Sequence, residues 1–340
     1  MANIREIAQL AGVSVGTVSR YLNGVTVRDA NAKAIADVVN RLDYRPSIVA
    51  RSLAKNESYT IGVLMANAGN VFVGSSIGRL ETKLERIGYS ALFIDFHNDT
   101  DVLQQKIDFL QSRQVDAIVI FLSEVEDAKL KNLTNFDCPV IVVDNPIPSD
   151  KIDSIVVDNS ESSCRVISEM IKFGHNRIGI IASSQETYVG RERLSGWRRA
   201  YIEAGLPIHD EDIVTCNSTK AGGYAAARKL MNYGSVSAIF ASNYYMALGA
   251  LKAMNELEVR PGVDMGFASF DDYDFSDVLY PPLTVICQPM NEIVDLIMRM
   301  VCHRLDGNTD DYGVHVLKCN VLMTESVRKP SAILPRKCFS

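Results

Sequence analysis

NIREIAQLAGVSVGTVSRYLNG (residues 3–24) holds two helical patterns separated by a glycine. Asn3 stands as an N-cap with Glu6 three places on, a capping-box arrangement. Ile4, Ile7, Ala8 and Ala11 then recur at helical spacing. Gly12 ends that helix, Ser14 offers a second N-cap, and Val18 and Leu22 lie one turn apart facing inward. A third amphipathic stretch follows, with Ala30, Ala34, Val38 and Leu42 on one face and Ile35 and Val39 beside them. Two short helices joined by a Gly-containing turn and backed by a third predict an all-α helix-turn-helix head. The second helix turns Val15, Gly16, Thr17, Ser19 and Arg20 outward. These are small and polar where a solvated helix ordinarily carries Glu and Lys, so the face can lie in a major groove. Arg20 is the candidate for a bidentate contact to a guanine edge, and Val15 for a thymine methyl. Gly16 can read no base, so it either permits close approach or leaves specificity to its neighbours. Thr17, Ser19, Asn23 and Tyr44 are assigned to phosphates, which position without specifying.

The charge distribution agrees with that assignment. The chain of 340 residues has a formal net charge of −6, which by itself argues against nucleic acid. Residues 1–57, however, carry eight basic and five acidic side chains, against 27 and 36 in the remainder. A basic head on an acidic body is the asymmetry expected of a DNA-binding module fused to something else. The length suits two or three domains, and a hydrophobic fraction of 47% suits a buried core. No apolar run approaches the roughly 18 residues that span a bilayer, and the N-terminus has no apolar signal segment, so a cytoplasmic protein is expected. The seven cysteines are scattered singly, which fits reduced, mostly buried thiols better than disulfides or zinc.

After the head comes RPSIVARSLAKNES (residues 45–58). Pro46 and Ser47 make a helix start, and Ile48, Val49, Ser52 and Leu53 share one side. A helix of about nine residues is marginal alone in water, so this segment reads as a conditional helix that orders only against a partner surface.

From Ile61 onward, short apolar strands alternate with longer amphipathic helices. Strand-like runs fall at 61–65, 91–95, 117–121, 140–144, 178–182, 238–241 and 267–270, with helical patterns near 74–87, 101–113, 162–173, 191–204, 221–232 and 245–257. Continuous apolar strands with crossover helices predict an α/β core of parallel sheets covered on both faces. About 280 residues require two such lobes, with the break near Asp158. Ligands bind off the carboxyl ends of such strands, so two facing sheets define a cleft.

Residues 3–24 followed by LDYRPSIVARSLAKNES closely resemble the head and hinge of the lactose-repressor (LacI/GalR) family, and the likeness extends over essentially the whole chain. It implies a periplasmic-binding-protein-like core made of two parallel-sheet lobes. It divides the chain into a head (1–45), a hinge (46–58) and an effector-binding and dimerisation core (59–340). Within the core, one lobe spans about 59–158 and 288–319, the other about 159–287 and 320–340. In the family the hinge helices pair in the minor groove and a leucine is wedged into a base step. Leu53 is the matching residue, with Ala50 packing the paired helices and Ala54 near the groove floor.

In the core, GRERLSGWRRA (190–200) resembles the pocket-arginine segment and places the ligand arginine at Arg193. ASNYYMALGALKAM (241–254) offers Asn243, and FASFDDYDFSDVLYPPLTVICQP (267–289) offers Asp271 for ligand hydroxyls or amines. NVFVGS (70–75) corresponds to the pocket mouth, with Phe72 and Val73 pointing inward, and Asp144 and Asn145 end the fourth strand. An arginine and an aspartate from different strand ends can grip a polyol from opposite sides. Tyr244 departs from the acidic residue usual after that asparagine, and CNSTKAGGY (216–224) carries Ser218 where several relatives stack an aromatic. Tyr244, Tyr273 or Tyr188 is therefore expected to supply the pocket aromatic.

The resemblance implies a repressor that binds a palindromic operator as a homodimer. Its partners are double-stranded DNA and a small effector, most simply a sugar or sugar derivative. A purine or nucleoside, or a phosphorylated carrier protein as corepressor, are the alternatives. The tail after Ser326 has two prolines and no leucine heptads, which argues for a dimer.

Enzymatic readings find little support. Gly74-Ser75-Ser76-Ile77-Gly78 matches a nucleophile elbow, but that motif needs strand, turn and helix in succession, and Ser76 is expected inside a helix. The acidic run at Asp271, Asp272, Asp274 and Asp277 lacks the glycine and glutamate of a calcium loop. There is no P-loop or dinucleotide fingerprint, and the five histidines have no metal-ligand spacing. No cofactor is expected.

Overall fold

A computed structural model describes residues 3–22, 25–44, 57–130, 133, 136–272 and 276–328. The chain forms two compact units, a head up to Tyr59 and a body from Thr60 onward.

In the head, α1 (Ile4–Ala11), α2 (Val15–Leu22) and α3 (Asp29–Arg41) meet around Ile7, Ala8, Val18, Ile35 and Val38. The N-caps fall at Asn3 and Ser14, as the sequence predicts. The Asn3 side chain accepts from the backbone N–H of Arg5 and Glu6, and Gly12 closes α1 at φ 64°, a conformation that disfavours a Cβ. Ser14 accepts from the Thr17 amide at 3.2 Å at the start of α2. The inward face of α3 begins later than its spacing suggests, because Ala30 is exposed and Ile35 is the first fully buried residue.

The body starts with β1 (Thr60–Met65), α4 (Val71–Arg86), β2 (Ser90–Asp95), α5 (Thr100–Ser112), β3 (Ala117–Phe121), β4 (Val140–Val143) and β5 (Ile152–Val157). It continues through α6 (Asn159–Lys172), β6 (Ile178–Ala182), α7 (Tyr188–Glu203), β7 (Ile213–Thr215), α8 (Lys220–Tyr233), β8 (Ala238–Ala241), α9 (Tyr244–Glu256) and β9 (Gly266–Phe270). Then come β10 (Thr284–Cys287), α10 (Met290–Leu305), β11 (Val314–Leu317) and β12 (Asn320–Leu322). Two six-stranded sheets result, in the orders β11-β5-β4-β3-β1-β2 and β12-β10-β9-β8-β6-β7. All pairings are parallel except β10 with β12. The chain passes between the lobes after β5, before α10 and between β11 and β12. Two of these crossings are tied together: Cys319 N–H donates to Asp158 Oδ1 at 2.7 Å, and the Asp158 amide donates to Leu317.

The strands read from apolar runs are present, and others were hidden by polar residues. β5 (IDSIVV) buries Asp153 and Ser154 completely. Asp153 is tolerated there because Arg304 of α10 grips it through Nε and Nη2 at 2.8 and 3.0 Å, with the Tyr312 ring 3.6 Å from the guanidinium. Burying a carboxylate is costly, and a charged, hydrogen-bonded partner such as Arg304 offsets much of that cost.

Ser76 lies inside α4, is fully buried, and donates to the Phe72 carbonyl, so it is no exposed nucleophile. Cys138, Cys164, Cys216, Cys287, Cys302 and Cys319 are free thiols. Burial pushes Cys138 up to about 12 and Cys216 and Cys287 up to about 11, which keeps them protonated at neutral pH. Among the described residues no helix is long and apolar enough to cross a membrane, and no cluster of side chains has the make-up of a metal site.

Candidate effector cleft and nucleic-acid face

The second helix of the head carries two kinds of surface. Val18 is fully buried, while Val15, Gly16 and Arg20 are exposed. A Cβ on Gly16 would meet nothing nearer than Ser14 Oγ at 3.8 Å, so the head's own packing does not require glycine there. Thr17 and Ser19 are half-buried, and Thr17 Oγ1 lies 2.9 Å from Ser14 Oγ. Tyr44 is half-buried and packs on the head's core, which gives it a structural task whatever its hydroxyl contacts. Asn23, Ala50, Leu53 and Ala54 lie outside the described residues, as do the hinge helix and Tyr273.

In the body, the carboxyl ends of both sheets open onto a cleft of about 370 Å³, near the lower end of the range usual for ligand pockets (roughly 300–1,000 Å³). Its first wall is built on α4, β3 and β4. Asn70 caps α4 by accepting from the Phe72 amide at 2.9 Å, which holds Phe72 at the cleft, edge-on to Phe121. Val73, one residue on, turns the other way into the core, because neighbours on a helix are about 100° apart. It does not line the cleft. Asp144 follows β4 with φ 68° and its side chain is buried; Ser123, from the end of β3, donates to its Oδ2 at 2.5 Å. Burial pushes the Asp144 carboxyl up to about 6; the Ser123 hydrogen bond and the Arg193 charge pull it down, and Asp271 pushes it up again. Asn145 is turned away to Asp127.

The second wall comes from α7, α9 and the ends of β9 and β10. Arg193 sits on the second turn of α7 and is buried. Its Nε donates to Asn159 at 2.8 Å, and its Nη1 to the Ser242 carbonyl at 2.6 Å and Asp271 at 3.5 Å. The guanidinium lies on the Phe270 ring at 3.4 Å. Nη2 is engaged by none of the described residues. Asp271 has φ 70° and also accepts from Gln288 Nε2 at 2.7 Å. The arginine thus comes from a helix, and it stands beside its aspartate on one wall. The expectation of two strand ends gripping from opposite sides is corrected accordingly. What faces the pair across the cleft is Asp144. Asn243 lines the cleft while its side chain caps α9, accepting from the Met246 amide at 3.0 Å. Tyr244 lines it too, and Tyr188 does not.

Sequence reasoning missed the contacts that join the two walls. Tyr245 Oη donates to the Gly69 carbonyl at 2.7 Å and accepts from the Val71 amide at 3.3 Å. Asp127 accepts from the Tyr188 amide, pairs with Arg191, and donates its own N–H to the Glu186 carbonyl. Ser123, Asn159 and Gln288 were also missed. The only available signal was position: each follows a strand's carboxyl end or opens the following helix, where ligands bind in such sheets.

Comparison with known proteins then gives two family matches. The description "Periplasmic binding proteins and sugar binding domain of LacI family" matches residues 58–311, and "Bacterial regulatory proteins, lacI family" matches residues 3–47. The ribose operon repressor of Haemophilus influenzae is 29% identical over 335 residues, covering 96% of this chain and 99% of that protein. The HTH-type transcriptional repressor PurR of Actinobacillus pleuropneumoniae is 28% identical, covering 96% and 99%. The lac repressor dimer bound to operator and the anti-inducer ONPF superposes with a TM-score of 0.82 at 22% identity, covering 96% and 99%.

Proposed function

The chain belongs to the LacI family of bacterial regulatory proteins, and from that premise we propose that it is a homodimeric operator-binding repressor whose DNA affinity is set by a small polar effector held in the body's cleft. The observation that carries the proposal is the Arg193–Asp271 pair. Both side chains are buried at the cleft, one guanidinium nitrogen is engaged by none of the described residues, and Asp144 faces them. A buried arginine positioned by Asn159 and Phe270 is a preorganised donor for a hydroxyl or carbonyl. The effector class follows the sugar-binding description of the matched domain and the ribose operon repressor among its relatives.

Residues 1–45 are assigned to DNA. Arg20 and Val15 meet base edges, Gly16 allows the approach, and Thr17, Ser19, Asn23 and Tyr44 hold phosphates. Residues 46–58 form the conditional hinge, where Leu53 enters a base step with Ala50 and Ala54 beside it. The body, 59–340, binds effector through Phe72, Asp144, Arg193, Asn243, Tyr244 and Asp271 and carries the dimer contact. Two-fold protein symmetry then matches a palindromic operator. Effector binding changes the lobe arrangement and so the folding of a marginal hinge, which is a coupling free energy between two sites. The chain acts on DNA inside the cell and carries out no reaction.

The test is operator binding by fluorescence anisotropy, on a palindrome selected from random DNA, with sugars, sugar phosphates and purines added in turn. At least one compound shifts operator affinity in the wild type, and Arg193→Ala abolishes the shift while remaining dimeric. A variant that still answers every active compound places the effector elsewhere. Leu53→Ala weakens operator binding and spares non-specific binding; unchanged operator affinity removes the hinge assignment.

A further inference from the structure

Resting on the effector-cleft reading, we propose that the effector is a cation: a small polyol bearing a protonated amine, whose ammonium group lies against Asp144 and Glu124. The two walls of the cleft are not electrostatically equivalent. On the second wall Arg193 and Asp271 balance one another. On the first wall the carboxylates outnumber the cations, and some of them are already satisfied: Asp127 pairs with Arg191, and Glu126 with Lys129 at 3.2 Å. Asp144 and Glu124 are not. They follow the adjacent parallel strands β3 and β4, so both project from the same sheet end toward the cleft. Asp144 has a hydroxyl partner and no ion pair, and Glu124 is in neither an ion pair nor a hydrogen bond with the described residues. Burial raises the pKa of both, and for Glu124 no neighbouring charge offsets it.

The cleft's hydrogen-bonding groups also call for a donor-rich ligand. Gln288 spends its amide N–H on Asp271, and its Oε1 is buried at the cleft without a donor. With the carboxylates, this makes a cleft rich in acceptors. Its one cationic lining residue among those described, Arg193, has already been committed to three protein acceptors. A phosphate or carboxylate in the ligand would add negative charge beside two carboxylates, Asp144 and Glu124, that no ion pair among the described residues balances. A neutral polyol would cover the buried Asp144 and the half-buried Glu124 without supplying a positive charge to either, and desolvating an unpaired carboxylate is costly. An ammonium group brings three donors, no acceptor and the missing positive charge. Its hydroxyls are left for Arg193 Nη2, Asp271 and Gln288.

The experiment uses the full-length protein and matched series of sugars and acyclic polyols that differ at one carbon, as hydroxyl, ammonium or phosphate. Glucose, glucosamine and glucose 6-phosphate form one such set; pentaerythritol and protonated Tris form another. Binding is measured by calorimetry, with thermal shift as the screen. In the series that bind, the ammonium member is tightest, by about tenfold or more over its hydroxyl match. Glu124→Gln or Asp144→Asn collapses that preference to about twofold. Tighter binding of the hydroxyl or phosphate member, or an ammonium preference unchanged in both variants, overturns the proposal while leaving the cleft as the effector site. Binding that is indifferent to Arg193→Ala overturns the cleft reading itself and this proposal with it, and no binding by any series overturns this proposal alone.

Discussion

Asp144 shows how much a single residue's environment adds to its identity. The unfolded chain gives up this proton near 3.8, whereas the native carboxyl holds it until about 6. Between those values the native state binds more protons, so stability falls as pH rises through the window and stays lowered above it. Asp144→Asn, which keeps an acceptor for Ser123, should therefore stabilise the protein at pH 7.5 by on the order of 2–3 kcal/mol. The gain should shrink toward zero near pH 4, as read by urea denaturation of both proteins across that range. A gain that ignores pH would assign the effect to packing. Gly16 makes the opposite case, since the space around its α-carbon is open. Gly16→Ala should keep or raise the head's melting temperature, by up to about 1 kcal/mol of helix propensity, while lowering operator affinity. A loss of helicity by circular dichroism would instead give the glycine a structural role. The candidacy of Arg193 and Asp271 was legible in the sequence only through neighbouring motif residues. Their position on the same wall was not, because α7 enters the cleft from outside the sheet.

Among the elements, α8 and α9 pack on small residues. A Cβ on Gly249 would come within 2.1 Å of the Lys220 carbonyl oxygen, and one on Gly223 within 2.4 Å of the Met246 α-carbon. Backbone atoms cannot yield as a flexible side chain does. Gly249→Ala should thus cost about 1–3 kcal/mol, in line with overpacked sites, and its melting temperature is the readout. An unchanged melting temperature would mean the helices part freely. The tie between α10 and β5 rests on charge. Arg304→Leu strands a buried Asp153 and should cost roughly 3–5 kcal/mol, much of it recovered in the double variant with Asp153→Leu, as denaturation of the three proteins would show. The sequence announced α8 and α9 through their periodicity. It did not announce β5, whose Asp153 and Ser154 interrupt the apolar run and are buried only because a distant helix supplies Arg304.

For the body as a whole, the decisive feature is that its lobes touch directly through Tyr245 and Asp127. Removing the Tyr245 hydroxyl deletes two hydrogen bonds between the walls. Tyr245→Phe should raise the radius of gyration of the ligand-free protein in X-ray scattering and weaken effector binding about 2–10-fold, the worth of roughly one net hydrogen bond, with little change in melting temperature. Identical scattering and affinity would show closure to be set elsewhere. The sequence by itself determined the division into a basic helical head and an α/β body, the order of most strands and helices, and the motif residues of the cleft. Those properties reside in local spacing, caps and charge, which act over a few residues. Only the tertiary structure decided which side chains face one another: Val73 into the core and Phe72 to the cleft, Asp271 beside Arg193, and Asp144 and Glu124 together at the cleft with no ion pair among the described residues. These pairings join residues far apart in the chain, and their energies depend on burial and distance, which exist only once the two sheets are packed.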